Sequence, residues 1–175
     1  MMVNNKESIP VQLARQSIIY YLKNKKRLSL PDNLPPELTE KRAGVFVSLK
    51  KNGKLRGCIG TFLPTQDNIA LEIIENAISA AVHDPRFSPV TLDEVEKLTI
   101  SVDILSAPEE VKDISELDPK KYGIIVSHGY KKGLLLPDLE GVDTVEQQID
   151  IARQKAGIYV NEDFKIERFE VKRYY

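Results

Sequence analysis

Apolar and polar positions change period several times along this chain, and each change marks an element. From Ile9 to Asn24, the residues Val11, Ala14, Ile18, Tyr21 and Leu22 fall on one helical face. That spacing predicts an amphipathic helix with Ser8 as its N-cap. Its end carries Lys23, Lys25, Lys26 and Arg27, cations that suit the carboxyl end of a helix dipole. The same charges could form a local nucleic-acid patch, although a charge run is more commonly a solvated face. SLPDNLPPELTE follows with three prolines and reads as an extended connection. VFVSL and LRGCIG then flank Asn52-Gly53, the residue pair that a type I′ hairpin turn favours. A two-residue turn there sets Val47 opposite Cys58 and Leu49 opposite Arg56. Val45, Val47 and Leu49 would then share their face with the thiol.

Asp67 is the expected cap of a helix that runs to about Val82, with Ile69, Ile73, Ala77 and Ala80 or Ala81 buried. Asp84-Pro85 ends it. Thr91 and Glu94 form a capping-box pattern for a short helix. Leu98, Ile100, Val102 and Ile104 alternate with Thr99, Ser101 and Asp103, the pattern of a half-buried strand. Tyr122 to Ser127 and Gly133 to Leu136 read as a second hairpin joined through His128-Gly129. Thr144 and Gln147 open a further helix with Val145, Ile149, Ala152 and Ala156 inside and Gly157 as its left-handed stop. Phe164 to Tyr175 reads as a closing strand. Hairpins outnumber βαβ units, so the predicted fold is α+β with a mainly antiparallel sheet flanked by helices.

Composition narrows the function. The chain has 175 residues, enough for one domain or two small interlocked subdomains. Its 25 basic and 26 acidic residues leave a net charge of -1, so no broad field draws it to nucleic acid. One cysteine excludes an intramolecular disulfide and any Cys-only iron–sulfur cluster within the chain. No apolar run is long enough to span a membrane, and MMVNNKESIP lacks a signal core, which makes the cytoplasm the expected compartment. GxGxxG, the P-loop and GxSxG are all absent.

The chemistry that remains centres on Cys58. A thiolate needs a cation or a base beside it. Arg56 has the same strand parity as Cys58, and an arginine fork there could hold an anion and favour the thiolate. His83, followed by Asp84, sits at a helix end and could serve as base, with Arg86 as a second anion holder. Cys58, Arg56 and His83 are expected to converge on one concavity. Against this stand plainer roles. Cys58 could be a small buried hydrophobe, Gly57 and Gly60 marks of a bulge, and His83 a helix end. His128 is expected in a hairpin loop. Cys58, His83 and His128 are ligand types that zinc accepts, but their spacing matches no compact zinc motif.

LRGCIGT at Leu55 to Thr61 resembles the signature of the AMMECR domain family. The likeness continues in HDPRFSPVT from His83, in GLLLPDLEG from Gly133 and in IARQKAGI from Ile151, in the family's order over nearly the whole chain. Prokaryotic members look like protein A of the AmmeMemoRadiSam system. The resemblance implies a single domain over residues 1–175 with an α+β fold of two subdomains, and a Memo-type protein and a radical SAM protein as partners. It also implies a modifying activity at the heptapeptide, with no reaction settled for the family. The expected site is then Cys58 and His83 as catalytic groups, with Arg56, Gly57, Gly60, Thr61 and Arg86 binding substrate. No metal or cofactor is expected. Two functions fit. One is an enzyme or enzyme subunit using Cys58 in thiol-based group transfer or hydrolysis. The other is a non-catalytic module whose glycine-rich strand docks a partner.

Overall fold

Among residues 6–175, which this computed structural model describes, the chain builds five α-helices and seven strands. Residues 1–5, half of the leading segment read above for a signal core, lie outside the described residues. Two compact units divide the chain. The first runs to Ile104 and takes in Lys172–Tyr175, and the second is Leu105–Val171. In each, strands pair antiparallel and helices pack on them, so the fold is α+β.

In the first unit, α1 (Ile9–Asn24) lies where its periodicity places it, but the Ser8 hydroxyl is buried without a hydrogen-bond partner. The proline-rich connection is not wholly extended. Pro36 opens a four-residue helix, α2 (Pro36–Thr39), because a missing N–H costs nothing in a first turn. Strands β1 (Val45–Lys51) and β2 (Lys54–Thr61) form the first hairpin, and α3 (Ile69–Val82) packs across it. The cap of α3 is Asn68, not Asp67: its Oδ1 accepts the Leu71 N–H at 2.9 Å. Val45, Val47 and Leu49 are fully buried in one cluster with Ile18, Ile73 and Ala77. A short α4 (Leu92–Val95) precedes β3 (Leu98–Leu105), which pairs with β1 so that Ser101 faces Ser48 and Asp103 faces Phe46.

Asn52 and Gly53 form the expected turn, both with positive φ (53° and 76°). The register beyond it differs from expectation. Lys50 faces Leu55, but Leu49 faces Gly57, so Arg56 is the extra residue of a β-bulge. Every later pair is displaced by one. Val47 faces Ile59, and Ser48 faces Cys58. Cys58 therefore turns away from Val45, Val47 and Leu49 and shares its face with Ser48. The cause is packing against α3. The residue facing that helix must be Gly57, where a Cβ would lie 2.2 Å from the Ala80 carbonyl oxygen. The bulge brings Gly57 to that position, and an Asn-Gly turn does not announce it.

The second unit holds β4 (Glu109–Val111), β5 (Tyr122–His128), β6 (Lys131–Leu135), α5 (Val145–Ala156) and β7 (Lys165–Tyr174), whose last residues belong to the first unit. β5 pairs with β6 and β7, and β7 pairs with β4. His128 pairs with Lys131, so the turn is Gly129-Tyr130, one residue later than read. Thr144 accepts the Gln147 N–H at 3.1 Å, and Gly157 ends α5 in the left-handed region, both as the sequence predicts.

Candidate functional site

Cys58 is half-buried on β2, the edge strand of its sheet. Its Sγ lies 3.2 Å from the Ser48 Oγ, the cross-strand partner that the bulge supplies. Both backbone groups of Cys58 are held from the segment after α3. Its N–H donates to Asp84 Oδ2 at 3.0 Å, and its carbonyl accepts from Arg86 Nη2 at 3.2 Å. Asp84 and Arg86 thus make the two bonds that a neighbouring strand would make. The pair is itself locked: Arg86 Nε and Nη2 reach the Asp84 carboxylate at 3.0 and 2.8 Å, and the Arg86 N–H adds a third bond. The Asp84 side chain is 2% exposed. The Arg86 hydrogen bonds hold its carboxyl well below the usual carboxylate range; burial opposes them and the Cys58 N–H assists.

Arg56 is enclosed by acceptors. Its Nε and Nη2 reach Glu94 at 3.2 Å each, Nη1 donates to the Ser88 carbonyl at 2.7 Å, and Nη2 also reaches the Pro89 carbonyl. Glu94 is the hub. The Thr91 N–H, then Lys51 and Arg56, hold its carboxyl down to about 2, against an opposing effect of burial. An incoming anion would have to compete with Glu94 for Arg56 and with Asp84 for Arg86.

The rest of LRGCIGT has internal partners. Gly57 lets α3 approach, and a Cβ on Gly60 would lie 2.2 Å from the Phe46 ring. The Thr61 hydroxyl donates to the buried Glu72 at 2.6 Å. Burial pushes the Glu72 carboxyl up, but hydrogen bonds from Thr61, Thr65 and Gln66 outweigh it and leave the group below its usual value. Asn76, also buried, donates to the Val45 carbonyl and to Thr61.

His83 caps the end of α3. Its N–H donates to the Ser79 carbonyl, and the exposed ring makes no hydrogen bond to the thiol. The structure thus joins Cys58 with Arg86, and Arg56 with Glu94, while the His83 ring stands apart from these bonds. His128 lies in the second unit, where its Nδ1 meets the Asp163 carbonyl at 2.5 Å. Among the described residues, no three His, Cys, Asp or Glu side chains gather as metal ligands would. Sequence reasoning missed Ser48 and Glu94, and it offered Asp84 as a helix stop that could orient His83, whereas Asp84 anchors Cys58 and Arg86. Ser48 was hidden by the bulge, and Glu94 by its reading as a cap alone.

Three comparisons bear on this arrangement. The AMMECR1 family model matches residues 11–174. A Thermotoga maritima protein is 56% identical over 166 residues, covering 94% of this chain and 95% of its own. A Clostridium acetobutylicum protein is 54% identical over 165 residues, but that match spans 94% of this chain and only 35% of the relative. The crystal structure of an uncharacterized protein from Pyrococcus horikoshii superposes with a TM-score of 0.86 at 33% identity, covering 98% of this chain and 92% of that one.

Proposed function

The chain belongs to the AMMECR1 family, and from that premise we propose that it is a modifying enzyme, or the thiol-bearing subunit of one. Cys58 would carry thiol-based group transfer or hydrolysis. The observation that carries this proposal is the double anchorage of Cys58 by Asp84 and Arg86, with its Sγ set against the Ser48 hydroxyl. A cysteine used only for packing would be at home among Val45, Val47 and Leu49; this one is turned away from them. Ser48 can donate a hydrogen bond to a thiolate. His83, exposed one residue before Asp84, is the group we propose as base, reaching the thiol once a substrate is bound. The cytoplasm is the compartment we propose, since a free thiol stays reduced there. Among the described residues, no helix is long and apolar enough to cross a membrane.

Thiol labelling against pH tests the proposal. At each pH, Cys58 in the native protein should react with iodoacetamide faster than glutathione does. Labelling that waits for urea would refute it.

A second reading is favoured by the Clostridium relative, most of which lies outside the match. A match that takes up only about a third of a longer relative suits a protein that works against a partner. The partner would then be a Memo-type protein or a radical SAM protein, and Cys58 would be dispensable. Calorimetric titration of Cys58→Ser with a purified Memo-type protein separates the two. Unchanged affinity together with an inert wild-type thiol would favour docking.

A further inference from the structure

We draw no further inference here: the strongest candidate, the open cavity of about 590 Å³ in the second unit between β4 and the His128 end of β5, sets Lys112, Lys165 and His128 against Glu110, Asp113 and Asp163, and nothing in the structure shows what covers it.

Discussion

Cys58→Ser separates chemistry from packing at a single atom. The serine hydroxyl can keep the bond to Ser48, so stability should change by less than about 1.5 kcal/mol while labelling disappears. Urea unfolding and mass spectrometry read the two effects. Gly57→Ala is the contrasting case. Its Cβ would meet the Ala80 backbone oxygen at 2.2 Å, so overpacking should cost about 1–3 kcal/mol in the same urea experiment. Glu94 gives a pH signature. Its carboxyl drops from an ordinary 4.5 when unfolded to about 2 when folded. A depressed folded value stabilises the protein above 4.5, and that contribution is lost as pH falls toward 2. Glu94→Gln should therefore lower the urea midpoint near neutrality, and the gap to wild type should close between those two pH values. Equal gaps at both ends would contradict the assignment. At this scale Cys58, Arg56, His83 and Arg86 were legible as residue types. Their partners were not, because Asp84 meets Cys58 across 26 positions and Glu94 meets Arg56 across 38.

Elements announced themselves wherever local chemistry sets them. The Thr144 capping box and Gly157 bound α5, and Asn52-Gly53 turns the first hairpin, because each is decided within a few residues. The bulge at Arg56 is decided by α3, which follows it in the chain and demands Gly57 beneath Ala80. No local pattern could show that, and one displaced residue moved Cys58 to the other face of its strand. The start of α3 failed by a smaller margin, since Asp67 and Asn68 are both good caps and only the backbone chooses between them. Asn68→Ala should cost about 1 kcal/mol of stability and Asp67→Ala much less. Thermal unfolding of the two variants checks this, and equal losses would return the cap to Asp67.

At the scale of the whole molecule, the two units repeat one packing device. In each, a strand glycine faces an alanine position of the helix packed on it: Gly57 under Ala80 in the first, Gly133 under Ala152 and Ala156 in the second. A Cβ on Gly133 would lie 2.3 Å from the Ala152 oxygen, so Gly133→Ala should lower amide hydrogen-exchange protection in α5 and β6. Protection equal to wild type would show that the helix can yield. The α+β class was legible from the hairpins, whereas the division of the chain at Ile104 was not, because the closing strand runs without a break through Val171 into the first unit. The Asp84–Arg86 pair has one more consequence. Strands at sheet borders invite other chains to pair with them, and natural proteins blunt such borders with charge. Asp84 and Arg86 occupy the outward N–H and carbonyl of Cys58, and Lys155 similarly takes the Leu134 carbonyl on β6. Asp84→Ala would bare that stretch of β2. The variant should aggregate with rising concentration, seen as light scattering and thioflavin-positive particles, at temperatures where wild type stays monodisperse.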